Sequence, residues 1–300
     1  MRKSDFVLGA FLFLSLFIAY SYMLCPTVYW EDSGELMAAA HSLGIAHPPG
    51  HPLWVLLARV FSVLPLGTLS YRVNLLSAFF SSLTGLTCFF TLLVLLRTAP
   101  FGEGISFRVS PFLSAAQVSA LTAALSFSFS KTFWFYSEIA EVYALLGFFC
   151  SVLLFRIFLF RATRTASLLI AFAYLCGLAL TNNVIVLACL PAFVYAVIAF
   201  HRLEPSKYEA TGPSDRLRIP PSNYFTLVLV LLLGLSCYLY LPIRSRFDPF
   251  VDWGNPESLA NFRAAVFAKE FRGQFFSLSL TAAGGPLEGA SQYFLGLPRE

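Results

Sequence analysis

The chain has 300 residues, of which 58% are hydrophobic and only 12% carry a charge. A soluble domain carries about twice this charged fraction. The composition therefore excludes a soluble globular protein and predicts an all-α polytopic membrane protein, because helices satisfy their own backbone in lipid. The formal net charge of +4 is too small to indicate nucleic-acid binding. All six cysteines lie in or beside apolar runs, which indicates small hydrophobic side chains rather than a disulfide or zinc framework.

The first apolar run, Phe6 to Leu24, is too long for the core of a signal peptide, which has roughly 7–15 residues. No small-residue cleavage site follows it, so we expect a retained transmembrane helix. Further apolar runs bring the prediction to about seven transmembrane helices. These runs are Asn74–Leu96, Phe112–Phe129, Ile139–Phe160, Ser167–Thr181, Val184–Phe200 and Tyr224–Ile243.

Lysine and arginine residues are concentrated in alternate connections between these spans. Cytoplasmic loops carry an excess of these residues, and the bias predicts a cytoplasmic N-terminus. The first loop, residues 26–73, and the segment 244–300 then lie on the outer face. We divide the chain into a transmembrane module, 1–243, and this outer segment, in which the sequence predicts an amphipathic helix. We expect the chain to be a fragment that stops before further transmembrane helices.

The first outer loop begins with two carboxylates, Asp32 and Glu35, three residues apart. This spacing is typical of a capping box at the start of a helix, which would end at Gly44. The helix has an apolar side and is expected to lie on the membrane surface, as is the short apolar stretch Leu53–Leu66. Alternatively, Asp32 is a general base at the lipid–water boundary, where apolar surroundings raise the pKa of a carboxyl group. Residues alone favour the cap, although the two roles are compatible.

Three histidines, His41, His47 and His51, follow in the same loop. A zinc site with Asp32 as the fourth ligand is the alternative, but the spacing matches no standard zinc pattern and the prolines between His47 and His51 fix an extended shape, so we predict no metal site. The segment "HPPGHP" is interpreted as a rigid turn that aims an imidazole at an anionic group. The alternative is a structural corner that starts the next helix.

Other predicted outer segments are also polar. Glu138 and Glu141 share a helix face, and Lys131 could pair with one of them, so a site role and an ion pair stay open. Arg244 and Arg246 run against the positive-inside trend and suit a phosphate, because guanidinium groups bind phosphate through paired donors. The alternative for the two arginines is contact with lipid headgroups.

Four segments together carry a family resemblance: "EDSGELMAAAHSLGIAHPPGHPLW", "YSEIAEVYAL", "GLALTNN" and "YLPIRSRFDPFVDWGNPES". They resemble bacterial members of glycosyltransferase family 117, whose vertebrate relatives are protein O-mannosyltransferases of the endoplasmic reticulum. The resemblance implies a GT-C-like helical bundle that transfers a sugar, with inversion, from a polyprenyl-phosphate donor to a hydroxyl acceptor. It implies Asp32 as the catalytic base, with Glu35 as the alternative, and no cofactor.

Donor and acceptor are expected to contact polar residues of all four segments. The predicted substrate-binding residues are His47, His51, Lys131, Glu138, Glu141, Asn182, Asn183, Arg244, Arg246, Asp248, Asp252 and Trp253. The expected partners are the lipid-linked sugar, an unknown hydroxyl on a protein or glycan, and membrane lipids. The expected location is a bacterial inner membrane, with the site facing the periplasm.

Two other classes of protein compete with this interpretation. A transporter or flippase of anionic solutes would place charges at mid-membrane and show internal repeats. The apolar runs are nearly free of central charge and show no repeat, which disfavours transport. A non-catalytic scaffold would leave the outer cluster of carboxylates and arginines without a role.

Overall fold

The fold is taken from a computed structural model, which describes residues 1–98, 109, 113–163, 166–202 and 221–271. Within these ranges the chain is helical, with twelve α-helices and no strand longer than an isolated bridge. The helices are α1 Lys3–Met23, α2 Ser33–Ser42, α3 Pro52–Ser62, α4 Leu69–Thr98, α5 Ala115–Ser128, α6 Lys131–Ser137, α7 Val142–Thr163, α8 Ala166–Asn182, α9 Val186–Arg202, α10 Pro221–Leu235, α11 Tyr240–Ser245 and α12 Leu259–Val266.

Four helical segments are long and apolar enough to cross a membrane, which supports the predicted helical membrane protein. They are Lys3–Met23, Leu69–Thr98, Val142–Thr163 and Phe225–Ser245, the last of which joins α10 and α11 through a 3-10 turn. A helix also lies at each of the other three predicted spans. These helices, α5, α8 and α9, have 14, 17 and 17 residues. At about 1.5 Å per residue they fall short of a hydrocarbon layer about 30 Å thick, so seven spans stay a prediction, as does their orientation.

Helix α4 is the centre of the bundle, with α1 and α5 on one side and α3 and α7 on the other. Gly85 permits the close approach of α4 to its first two neighbours. A Cβ atom there would lie 2.5 Å from Leu16 Cδ1 and 2.8 Å from Ser128 Oγ. Small residues commonly mark close helix contacts in membranes, because they let two backbones approach.

An ion pair joins the same three helices near the N-terminus. Both guanidinium nitrogens of Arg97 donate to the carboxylate of Asp5, at 2.7 and 2.9 Å, and Gln117 adds a third donor at 2.8 Å. Asp5 is fully buried, and a buried carboxylate is tolerated when it is paired and hydrogen-bonded. The pair therefore fixes α1 and α5 on α4.

Helices α8 and α10 meet at two glycines. A Cβ atom on Gly234 would lie 2.5 Å from the Tyr174 carbonyl oxygen, and a Cβ atom on Gly177 would clash with the Leu231 carbonyl. Because the obstacles are backbone atoms, larger side chains would push these helices apart. Beyond this contact, the hydroxyl of Tyr238 in the 3-10 turn before α11 donates to the Leu180 carbonyl, near the end of α8, at 2.8 Å.

The predicted first outer loop contains two short helices, α2 and α3, which pack on each other and on α4. Between them, the segment "HPPGH" forms a sharp corner with Gly50 and His51 at positive φ. In the predicted outer segment, α12 accounts for part of the amphipathic helix, and Ser258 caps its first turn. The remainder of that prediction beyond residue 271 lies outside the described residues.

Candidate active site

The corner before α3 places His47 between two carboxylates: Asp32, just before α2, and Glu35, in the first turn of α2. The Nδ1 atom of His47 lies 2.9 Å from Glu35 Oε2, and the His47 backbone N–H donates to Glu35 Oε1 at 2.6 Å. The Nε2 atom points the other way, 3.7 Å from Asp32 Oδ2. The Asp32 side chain is 54% exposed, whereas those of His47 and Glu35 are 17% and 23% exposed. Asp32 is therefore the carboxylate of this group that a bound molecule can reach.

The capping-box hypothesis for this helix is wrong. Asp32 precedes α2, but its side chain makes no cap hydrogen bond and its backbone is in the right-handed helical region. Glu35, the other member of the predicted box, bonds to His47 instead. Capping therefore does not explain these two carboxylates, and the alternative role of Asp32 is left open.

His47 is the basic group of this cluster. Burial lowers the pKa of His47, but the hydrogen bond and charge of Glu35 and the charge of Asp32 more than offset this effect, and the pKa is raised. The charged form is favoured because opposite charges lie on both sides of the ring. The surroundings of His47 therefore favour its protonated ring, and Glu35 orients the Nδ1 atom.

A third carboxylate, Glu141, lies behind Asp32 and is 1% exposed. Its Oε1 atom accepts the backbone N–H of Asp32 at 3.3 Å. Burial, followed by the charges of Asp32 and Glu31, raises the pKa of Glu141 to about 7. Glu138, three residues earlier, takes no part in this contact, and burial raises its pKa as well. The two glutamates predicted on one helix face thus lie at the junction of α6 and α7, in different surroundings.

The second histidine of the corner, His51, has a different environment. His51 is buried, and its Nδ1 atom is hydrogen-bonded to the backbone carbonyl oxygen of Asn182. Burial lowers the pKa of His51 to about 4, so the ring is neutral and Nδ1 carries the proton that it donates. The two imidazoles, 5.2 Å apart between ring centroids, therefore have pKa values shifted in opposite directions.

Both asparagines of the predicted "TNN" site form hydrogen bonds to backbone groups near the cluster. Asn182 is fully buried, and its Nδ2 donates to the carbonyl oxygen of Val142 at 3.2 Å. Asn183 Oδ1 accepts the backbone N–H of Ile185 at 2.9 Å, in the turn before α9. The Oδ1 atom of Asn182 is buried and has no hydrogen-bond partner.

A short backbone bridge joins the first outer loop to the segment after α11. Ile45 N–H donates to the Val251 carbonyl at 2.7 Å, and Trp253 N–H donates to the Ile45 carbonyl at 3.2 Å. Asp252, which pairs with Ile45 in this bridge, accepts the Ser245 hydroxyl at 2.9 and 3.0 Å. The indole of Trp253 consequently lies beside His47, 6.2 Å between ring centroids and 42% exposed.

Gly44 permits the close approach of the two segments in this bridge, whereas the sequence predicts that it ends α2. The left-handed residue at the end of α2 is Leu43, with φ of 52°. A Cβ atom on Gly44 would lie 2.5 Å from the Val251 carbonyl oxygen. The Gly44 carbonyl also accepts the hydroxyl of Tyr240 at 2.9 Å, which fixes the same crossing from α11.

The predicted phosphate-binding arginines lie in different environments. Arg244 donates from Nε to the Leu43 carbonyl at 2.7 Å and from Nη2 to the Ser42 carbonyl at 3.2 Å, and it thereby caps α2. Arg246 is exposed, as are Asp248 and Lys131. Among the described contacts, none joins these three side chains to the histidine cluster, so they stay predictions.

A cation could also fit the three central side chains. Asp32, Glu35 and His47 each offer one ligand atom, and these atoms lie within 4.8 Å of one another. In the structure the same atoms form the ion pairs described above. The prediction that no metal is bound is therefore left to experiment.

A family model and two curated relatives point to the same protein family. The family model of the protein O-mannosyl-transferase TMEM260 N-terminal domain matches residues 32–206, more than half of the chain. Protein O-mannosyl-transferase TMEM260 of Mus musculus is 32% identical over 279 residues, which cover 91% of this chain and 35% of the relative. The corresponding protein of Dictyostelium discoideum is 28% identical over 289 residues, with 90% and 32% coverage.

The chain thus spans about a third of the length of these curated relatives. No solved structure matches the chain. The matched region begins at Asp32 and includes Glu35, both histidines of the corner, Glu141 and Asn182. The chain belongs to the family of protein O-mannosyl-transferase TMEM260 N-terminal domains.

Proposed function

We propose that this chain is the catalytic module of a membrane glycosyltransferase that moves a sugar, mannose, from a polyprenyl-phosphate donor to an acceptor hydroxyl. The observation that carries the proposal is the half-exposed carboxylate of Asp32, 3.7 Å from an imidazole whose other nitrogen is held by Glu35. The names of the two relatives specify O-mannosyl transfer and supply the choice of sugar and acceptor atom.

In the proposed reaction Asp32 accepts the proton of the acceptor hydroxyl. The oxygen then forms a bond to C1 of the sugar from the face opposite the phosphate, and the bond between C1 and the phosphate oxygen breaks. Polyprenyl phosphate leaves with the bonding electron pair, and the configuration at C1 inverts. A general base of this kind contributes about 10²- to 10⁴-fold to the rate.

The departing phosphate needs positive charge close to the reacting atoms. We assign this role to the His47 imidazolium, because Glu35 orients it and because fixed charges stabilise a transition state most effectively. Arg246, exposed after α11, is the second candidate. Arg244 has two of its donors bonded to α2 carbonyls, so we assign it to holding the site together.

The exposed indole of Trp253 lies beside His47. We place the sugar ring between this indole and the Asp32 carboxylate. We place this site at the outer face of the membrane, in the transmembrane module 1–243 together with the segment that follows it. The resemblance to bacterial family members makes the bacterial inner membrane, with the site facing the periplasm, the proposed location. Both relatives named above are eukaryotic.

Incubation of the purified full-length protein with a panel of radiolabelled polyprenyl-phosphate sugars tests the proposal. We expect release or transfer of label from one donor, mannose first. Uptake into vesicles without release from any lipid would instead indicate a transporter.

Asp32→Asn tests the base. We expect transfer to fall by about 10²-fold or more, with unchanged thermal stability, because the amide cannot accept the proton. Glu257→Gln, at an exposed glutamate in the segment before α12, is the matched control and should keep full activity. Near-normal turnover of the Asn variant would remove Asp32 from the mechanism.

A further inference from the structure

The segment that leads to Asp32 is held at both ends by the junction of α6 and α7. We call residues 25–32 the entry loop and residues 138–141 the junction. At one end Cys25 N–H donates to the Glu138 carbonyl at 3.1 Å, and at the other Asp32 N–H donates to the Glu141 carboxylate at 3.3 Å. More than a hundred residues separate the partners in the second contact, so local sequence does not impose this geometry.

The entry loop needs such support where it reaches Asp32. Glu31 has φ of 66°, in the left-handed region that a residue with a Cβ atom rarely adopts. Residues in this conformation persist when surrounding contacts hold them. The Asp32 side chain makes no cap hydrogen bond to α2, so its direction depends on the backbone of this turn. The contact from Glu141 is made at that backbone.

Glu141 is itself rigidly placed. The indole N–H of Trp54 in α3 donates to the Glu141 carbonyl at 3.1 Å, and Asn182 in α8 donates to the carbonyl of Val142 at 3.2 Å. Trp54, Asn182 and Glu141 are all buried. These contacts fix the backbone of residues 141 and 142 against α3 and α8, and the buried Glu141 side chain is out of reach of a large substrate in the cleft.

We propose that Glu141 is a positioning residue, which holds the Asp32 amide and so fixes the turn that presents the Asp32 carboxylate. This inference rests on the proposed role of Asp32. It differs from the expectation that Glu141 binds substrate, because the carboxyl group accepts the backbone amides of Asp32 and Val142. Charge on Glu141 is not required.

Two variants separate these roles in the full-length protein. Glu141→Gln keeps an acceptor oxygen at the same place, whereas Glu141→Leu fills the volume and removes the acceptor. We expect the Leu variant to lose about 10- to 100-fold in kcat, because a small displacement of the base is costly. Its KM for each substrate should change by less than about threefold, since no substrate contact is removed. The Gln variant should keep kcat and KM near the wild-type values, and Glu257→Gln is again the control.

The Gln variant decides the case even if Glu141→Leu fails to fold. A folded Gln variant that loses as much activity as Asp32→Asn would show that the carboxylate itself takes part in chemistry or binding, and would overturn the proposal. A raised KM with unchanged kcat in either variant would also overturn it, in favour of substrate binding.

Hydrogen exchange provides a measurement that does not depend on catalysis. In Glu141→Leu the amides of the entry loop around Asp32 should exchange about 3- to 10-fold faster, because one hydrogen bond is lost, and in Glu141→Gln they should not. Unchanged exchange in the Leu variant would overturn the positioning role even in an active enzyme. Altered exchange in a protein that transfers no sugar would instead refute the proposed function and leave the contact in place.

Discussion

Gly44→Ala is the most informative single change in the described part of the chain. The added Cβ atom would lie 2.5 Å from the Val251 carbonyl oxygen and 2.9 Å from Val251 Cβ, so one side of the bridge must move. The movement weakens two backbone hydrogen bonds, those of Ile45 N–H and Trp253 N–H. At about 0.5–1.5 kcal/mol each, their loss costs about 1–3 kcal/mol.

One smaller effect opposes this loss. Gly44 does not have a positive φ, so alanine is tolerated by the backbone and stabilises the fold by about 0.4–1 kcal/mol through the unfolded chain. The net expectation is a destabilisation of about 1–2 kcal/mol, which lowers the melting temperature by roughly 2–6 °C. Transfer activity should fall further, by about tenfold or more, because Trp253 and the end of α2 move relative to His47.

Thermal unfolding in detergent, together with transfer assays on the same preparations, measures both quantities. Gly147→Ala is the matched control, because its Cβ atom would lie 3.6 Å from Phe133 Cε2 and 3.9 Å from Thr84 Oγ1, both ordinary contacts. In that helical position alanine should be neutral or slightly stabilising. A Gly44→Ala protein with wild-type melting temperature and activity would refute the reasoning that the bridge positions the site.

Two further predictions concern ionisation and metal. Burial raises the pKa of Glu141 from 4.5 to about 7, so the folded chain binds more protons than the unfolded chain between these pH values. The free energy of unfolding should therefore fall as pH rises through this window. Relative to Glu141→Gln, the fall should be about 3 kcal/mol. Melting temperatures of both proteins from about pH 5 to 8 measure this, and a constant difference between them would contradict it. Transfer should continue in excess EDTA, because Glu35 and Asp32 already face His47 as ion-pair partners. If EDTA abolishes activity and added Mn²⁺ or Zn²⁺ restores it, Asp32, Glu35 and His47 are instead ligands of a cation.

Much of the helical framework could be predicted from the sequence. Long apolar runs impose helices in lipid, and helices lie at each of the seven predicted spans. The pattern cannot say which helices are long enough to cross. The run Phe112–Phe129 is longer than α5, which has 14 residues, whereas α8, with 17 residues, extends one residue beyond each end of the run Ser167–Thr181.

The candidate site was predicted in composition but not in its contacts. Asp32, Glu35, His47 and Trp253 were all singled out, and they lie together. The partners of His51 and Asp32 are 131 and 109 residues away, and local spacing holds no information about such pairs. Glu138 and Glu141 look equivalent in sequence. In the structure, the contact with the Asp32 amide and the packing of Trp54 and Asn182 beside Glu141 distinguish them.

Arg244 illustrates a limit of reasoning from charge. Its predicted position against the positive-inside trend suggests a phosphate partner, but its guanidinium group donates to backbone carbonyls of α2. Unsatisfied carbonyls at a helix end attract a cation as a phosphate does. Tyr240 and Gly44, which complete the same crossing, carried no functional signal in the sequence because one is aromatic in an apolar run and the other follows a helix.

The crossing between α2 and α11 also determines when the site can form during synthesis. Tyr240 and Arg244 are 196 and 201 residues from their partners Gly44 and Leu43. At about 5–20 residues per second, the first loop waits on the order of 10–40 seconds for these side chains to be made. During that time the end of α2 lacks the two donors of Arg244, and the Trp253 side of the cleft does not exist. The early helices therefore enter the membrane before the cleft assembles, and assembly of the cleft waits for the docking of the segment Phe225–Ser245.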